Sequence, residues 1–264
     1  MISLDVLHIG TVPLTLFAGL LGLLFGSFLN VCIVRWPALE SVVKPRSRCP
    51  QCGNLIAWYD NFPVISWVVL GAKCRHCKLP IPALYPLVEL AVGLLWALSA
   101  WHYGPTVEFL RAAVFGTLLI GIAMTDAREY IIPDEFSIGG LGLGLLLSLP
   151  GGVPVIGQAL LGASVGFLVL WVVGAAGTRI FKEEAMGGGD IKMMAMVGAF
   201  VGWQGVLLTI FMGALLGSLL FVPLALVGRR KLVPFGVFLA LGAAATYLYG
   251  PTLLAWYGRY LNAA

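Results

Sequence analysis

The chain is 264 residues long, 60% hydrophobic and only 11% charged, with a mean hydropathy of +0.97. Soluble domains carry about 25% charged residues, so too few are present to coat a water-facing surface, and the chain reads as a polytopic membrane protein. The net charge of +4 points to no nucleic acid, because the basic residues cluster in the loops that a membrane topology needs.

Residues 1–11 form a weakly polar lead-in. Pro13 to Val34 is then apolar for about 22 residues, enough to cross a hydrocarbon core of about 30 Å. No Lys or Arg precedes Arg35, so the segment lacks the basic start of a cleavable signal peptide. Asn30 is a polar group inside it, suited either to an interhelical hydrogen bond or to a site.

Residues 35–83 are the one sizeable water-facing region. Of the five cysteines, Cys32 lies in the preceding apolar run and reads as a small buried residue. Cys49, Cys52, Cys74 and Cys77 form two Cys-x-x-Cys pairs. Each pair bends the backbone so that two thiolates converge, and two such turns close a tetrahedral Zn–S₄ shell. Four protein ligands leave no position for water, so the metal is expected to be structural. Disulfides are disfavoured because the loop is expected to face a reducing cytosol. Lys73, Arg75 and Lys78 would offset the negative charge of the centre, and His76 reads as a bystander. So short a loop has little core, and metal binding would supply much of its folding free energy. Between the pairs, residues 58–70 are unusually apolar and are expected to pack on the membrane surface or on a substrate.

Further apolar segments follow at about 84–103, 107–125, 136–149, 155–178, 193–202, 206–227 and 234–257, giving about eight transmembrane helices with the first. The many glycines suit close helix contact. Gly198, Gly202 and Gly205 make the run after Asp190 look short and broken. Placing the N-terminus outside puts every Lys and Arg except Arg111 and Arg259 in cytoplasmic loops, as the positive-inside rule requires. That orientation places the cysteine region, Asp126 and Asp190 on the cytoplasmic side.

Asp190 follows Gly187-Gly188-Gly189 between two apolar segments, and Asp126 ends another apolar run. Ionisable groups at such boundaries are functional candidates. Two carboxylates brought close cannot both ionise easily, so one keeps its proton. The ionised partner can then activate water while the protonated one donates to a carbonyl oxygen, which hydrolyses a peptide without a metal. The glycines would allow close backbone approach. Three plainer roles stay open: Asp126 paired with Arg128, Asp190 as an N-cap for a helix starting near Ile191, and proton-coupled transport.

The chain resembles the prepilin peptidases of type IV pilus and type II secretion systems. The matching residues are Gly26-Ser27-Phe28-Leu29-Asn30-Val31 with Arg35 and Pro37, then the four-cysteine loop with Asn61, Pro63 and Ser66. Tyr85-Pro86-Leu87-Val88-Glu89, Thr125-Asp126 with Ile132-Pro133-Asp134, and Gly187-Gly188-Gly189-Asp190-Ile191-Lys192 follow in the family's order. The resemblance implies a membrane aspartic endopeptidase of the bacterial inner membrane that removes the short basic leader of prepilins or pseudopilins. It also implies methylation of the new N-terminal residue with S-adenosylmethionine. Asp126 and Asp190 would be the catalytic pair, and Cys49, Cys52, Cys74 and Cys77 would belong to the zinc loop of bifunctional members. The implied organisation is a first helix at 1–34, a zinc-binding, methyltransferase-associated loop at 35–83 and a peptidase core at 84–264. Gly187, Gly189, Asn30 and Arg35 are supporting candidates. Glu89 would either pair with a basic residue or help methyl transfer, and Lys192 would either set the field of the pair or anchor its helix. Cleavage of other membrane substrates and proton-coupled transport are the alternative readings.

Overall fold

The computed structural model describes residues 4–226 and 233–263. Arg229, Arg230 and Lys231, which the charge rule assigns to a cytoplasmic loop, lie outside them. Among the described residues the regular structure is helical, with two isolated bridges, Arg48 to Leu55 and Lys73 to Pro80. The chain divides into two compact units, Met1–Gly121 and Ile122–Ala264.

The first unit contains α1 (Leu4–Arg35), a 3₁₀ turn (Trp58–Asp60), the short α2 (Ile65–Val69), α3 (Leu84–Tyr103) and most of α4 (Val107–Glu129). Lipid offers no hydrophobic drive for helices to associate, so they need close van der Waals contact, which small residues permit. Gly22 and Gly26 provide it between α1 and α3. A Cβ on Gly22 would sit 2.8 Å from the Val92 carbonyl oxygen, and one on Gly26 would sit 2.7 Å from the Cα of Glu89. The opposite face of α1 presents Leu16, Phe17, Leu20 and Leu24 outward, as a lipid-facing surface requires. Polar groups tie the ends and the middle of this unit. Asn30 Nδ2 donates to the Tyr85 carbonyl at 3.0 Å, and Trp96 Nε1 donates to Thr117 Oγ1 at 3.0 Å.

The second unit contains the end of α4, α5 (Asp134–Leu146), a 3₁₀ turn (Leu149–Gly151), α6 (Gly152–Phe181), α7 (Gly188–Leu226) and α8 (Phe235–Ala263). Gly162 and Gly166 of α6 lie directly on the backbone of α7 at Gly198 and Met194. A Cβ on Gly162 would also sit 2.8 Å from the Cα of Gly202. The 39 residues of α7 would make about 58 Å of straight helix, far more than one crossing of about 30 Å needs. The helix breaks at Gly202, whose φ of +70° is a left-handed value that glycine adopts without strain. The short, broken run expected after Asp190 is therefore the first half of α7.

Six stretches are long and apolar enough to cross a membrane among the described residues. The eight apolar segments expected from the sequence fall on α1, α3, α4, α5, α6, the two halves of α7, and α8. One apolar range, Asp134–Phe181, takes in both α5 and α6, and α5 with 13 residues is only about 20 Å long.

Gly22→Leu is expected to cost about 1–3 kcal/mol by forcing α1 from α3, read as a lower thermal midpoint in detergent. Gly142→Leu, with nothing within 4 Å of the added Cβ, is expected to leave the midpoint nearly unchanged.

Candidate functional site

The cysteine loop builds the same turn twice. The amide of Cys49 donates to the Asn54 carbonyl at 2.9 Å, and the amide of Gly53 returns to the Cys49 carbonyl at 2.9 Å. The second pair repeats this with Cys74 to Leu79 at 2.9 Å and Lys78 to Cys74 at 3.0 Å. Gly53 and Lys78 occupy the matching left-handed position at φ +72° and +59°. The four sulfur atoms lie within 4.8 Å of one another, and all five cysteines are free thiols. The 3.9 Å between Cys49 Sγ and Cys77 Sγ matches the edge of about 3.8 Å that a tetrahedron of 2.3 Å Zn–S bonds requires. The donor set thus fits zinc. Backbone N–H groups of Cys77 and His76 pull the Cys74 thiol down to about 6. Against the Leu79 N–H, burial and the neighbouring sulfurs push Cys77 up to about 11, so the crowded thiols cannot all ionise without a cation among them.

Arg75, next to Cys74, is paired with a carboxylate of the same loop. Its Nε and Nη2 grip Asp60 at 2.7 Å and 2.6 Å, and its guanidinium lies 5.6 Å from the Tyr59 ring centre. The forked pair ties the 3₁₀ turn to the second cysteine turn and holds the Asp60 carboxyl below its ordinary range. The apolar stretch between the cysteine pairs leaves Trp58, Ile65, Val68 and Val69 exposed.

In the second unit, Asp126 lies within electrostatic reach of Asp190. Asp126 is buried near the end of α4, and the amide of Val237 donates to its Oδ2 at 3.0 Å. The Gly236 backbone lies against the same carboxylate. Both residues belong to the first turn of α8, where N–H groups favour an anion; the Val237 N–H is shared between Asp126 and the Pro234 carbonyl at 3.3 Å. A Cβ on Gly236 would sit 2.9 Å from Asp126 Oδ2, so only glycine lets α8 approach this closely. Asp190 lies in the first turn of α7, and its Oδ1 is buried with no hydrogen-bond partner.

Two of the plainer readings are overturned. Asp190 is not an N-cap, because α7 already starts at Gly188. Asp126 makes no ion pair with the exposed Arg128; residues two apart on a helix do not face each other. Gly187 packs beside Asp190, a Cβ there falling 3.3 Å from Oδ2, and Gly189 packs against Ile132. Lys192 pairs with Asp134 at 2.7 Å, bridging α7 to the start of α5 rather than to either candidate acid. Gly236 and Val237 escaped the sequence reading. Their one signal is Pro234-Phe235-Gly236, a proline followed by a glycine at the start of an apolar run.

Glu89, Asn30 and Arg35 line one cavity of about 650 Å³ beside the cysteine loop. Glu89 does not pair with a basic residue: its Oε2 accepts the Val64 amide at 2.7 Å. Asn30 makes the interhelical hydrogen bond to Tyr85 and also faces the cavity. Arg35 donates to the Ser41 carbonyl at 2.9 Å, closing the loop onto the end of α1.

A multi-pass helical membrane protein with a carboxylate pair at helix ends and a metal-capable four-thiol loop is the class these features define. Residues 20–103 match the bacterial peptidase A24 N-terminal domain, and residues 113–222 match the type IV leader peptidase family. The chain is 33% identical over 265 residues to a protein of Aeromonas hydrophila, covering 90% of this chain and 91% of that one. It is 35% identical over 268 residues to one of Stutzerimonas stutzeri, covering 92% and 93%. A Myxococcus xanthus protein is 43% identical over 222 residues, covering 83% of this chain but 64% of that relative's length. All three are named prepilin leader peptidase/N-methyltransferase. No solved structure matches. The chain belongs to the type IV leader peptidase family.

Purified protein is expected to hold one zinc per chain by elemental analysis, and Cys49→Ser or Cys74→Ser to lose it together with protease resistance of residues 35–83. The Asp60–Arg75 pair is expected to stabilise the loop above about pH 4, the ordinary carboxylate range. That contribution is lost as pH falls through the depressed folded-state value. Asp60→Asn is expected to flatten this acid dependence of loop proteolysis.

Proposed function

We propose that this protein cleaves the leader of type IV prepilins or pseudopilins with Asp126 and Asp190, and methylates the N-terminus that cleavage creates. The observation that carries the cleavage reading is the contrast within the pair. The Val237 N–H on Asp126, with the Gly236 backbone packed beside it, suits a carboxylate that stays ionised. A bare buried oxygen on Asp190 suits the partner that holds the proton. In this division Asp126 takes a proton from water as the water attacks the scissile carbonyl, and Asp190 gives its proton to the carbonyl oxygen as charge develops there. The low polarity of the surrounding helices strengthens both steps, since charge interactions weaken in water. Gly187 leaves room beside Asp190 for an extended peptide backbone.

The relatives' shared name supports the substrate and the second activity. S-adenosylmethionine would supply the methyl group, and the free α-amine of the shortened chain would accept it. The zinc would hold the loop in shape, since four thiolates leave no open position for chemistry. We further propose that the protein sits in a bacterial inner membrane with its N-terminus outside and the loop and acid pair toward the cytoplasm. The distribution of Lys and Arg supports this.

Protein in detergent, a prepilin and S-adenosylmethionine are expected to give, by mass spectrometry, a shortened chain carrying one added methyl group. Asp126→Asn and Asp190→Asn are each expected to lower cleavage by about 100-fold or more while the thermal midpoint holds. Normal cleavage by either variant overturns the pair, and transport of a solute by an enzyme that cuts no prepilin favours the transporter reading. Gly236→Leu is expected to slow cleavage by pushing the α8 donor off Asp126.

A further inference from the structure

The first unit holds a constellation that the acid pair does not use. Its cavity of about 650 Å³ falls within the size range of small-molecule sites. Most charges on its wall are balanced or wet. Asp60 is gripped by Arg75, and Glu40, Arg48 and His76 are exposed. The buried Arg35 donates its guanidinium N–H to the neutral Ser41 carbonyl and forms no ion pair among the described residues. Glu89 is neither balanced nor wet. It is 9% exposed, and its partners are neutral donors, the Val64 amide at 2.7 Å and the Ser27 hydroxyl. It forms no ion pair among the described residues.

A buried carboxylate without a cation is costly to maintain. Two neutral donors orient it but fill only part of an acceptor capacity of about four lone-pair sites. Phe62, Trp67 and Tyr85 line the same cavity, and aromatic faces attract cations. We propose that Glu89 is the anion of an organic-cation subsite, which receives a compact positive group against its carboxylate. Two groups have this chemistry, the sulfonium of S-adenosylmethionine and the ammonium of a peptide N-terminus, and this choice of cations rests on the methyl-transfer reading. Ser27 and Val64 act as positioning groups that aim the carboxylate into the cavity.

The test measures binding to full-length protein in detergent micelles by calorimetry. One arm compares S-adenosylmethionine with S-adenosylhomocysteine, the same molecule with a neutral thioether. The other compares a peptide carrying a free α-amine with its N-acetylated form. In the unmodified protein, the cationic member of at least one pair is expected to bind about tenfold tighter or better, as a charge-assisted contact gives. Glu89→Gln, which keeps an acceptor for Val64 and Ser27, is expected to erase that preference while prepilin cleavage continues. The arm that responds identifies which cation sits on Glu89. Equal preference in Glu89→Gln and the unmodified protein overturns the proposal. So does the absence of any cation preference in the unmodified protein, a result independent of whether the variant folds. Methylation of product by the unmodified protein is scored separately, so failure of the methyl-transfer reading is distinguishable from failure of the Glu89 assignment.

Discussion

The contact on which the acid pair depends is the one between the first turn of α8 and Asp126. A carboxylate among apolar helices needs donors, and the bilayer supplies none. The first turn of α8 supplies the Val237 N–H, which reaches Asp126 at 3.0 Å and is shared with the Pro234 carbonyl at 3.3 Å. The donation works only because residue 236 has no side chain. The helix that holds Asp126 therefore also restricts what can stand beside it. Asp190 is left with a buried oxygen that has no partner among the described residues, and that asymmetry is what the proposed two-acid reaction would use.

The same logic of missing side chains builds the scaffold. Gly22 and Gly26 seat α1 on α3, and Gly162 with Gly198 seats α6 on α7. Each contact is backbone against backbone, which fixes helix position more tightly than flexible side chains would. The positions carrying Glu89 and Asp190 lie within these tightly seated helices. Gly26 itself touches the Cα of Glu89, so the glycine that packs α1 also sets the depth at which that carboxylate sits. The break at Gly202 lets an overlong α7 change course while its first half keeps the close contact with α6.

The cysteine loop solves a different problem. It has almost no buried apolar surface of its own, and its larger apolar residues, Trp58, Ile65, Val68 and Val69, point outward. Two identical turns bring four sulfurs together, and the Asp60–Arg75 fork links the turns to the intervening segment. A cross-linked loop of this kind can hold an exposed apolar surface and the wall of a cavity in fixed positions. Without the metal, little else would oppose its chain entropy.

The sequence by itself determined the membrane class, the position of the apolar segments, the broken run after Asp190, the four metal-capable thiols and the family. These are properties of composition and local spacing: hydrocarbon demands long apolar runs, and a Cys-x-x-Cys turn converges its thiols wherever it occurs. Asp126 and Asp190 were legible as candidates because a carboxylate at the end of an apolar run is rarely accidental. Tertiary structure decided the partners. Lys192 turned to Asp134, Arg75 to Asp60 and Glu89 to the Val64 amide, partners that local spacing had not named. Gly236 and Val237 lie more than a hundred residues from Asp126 in sequence. Only the packing of α8 against the end of α4 brings them to it, and no local pattern encodes a contact between helices so far apart along the chain.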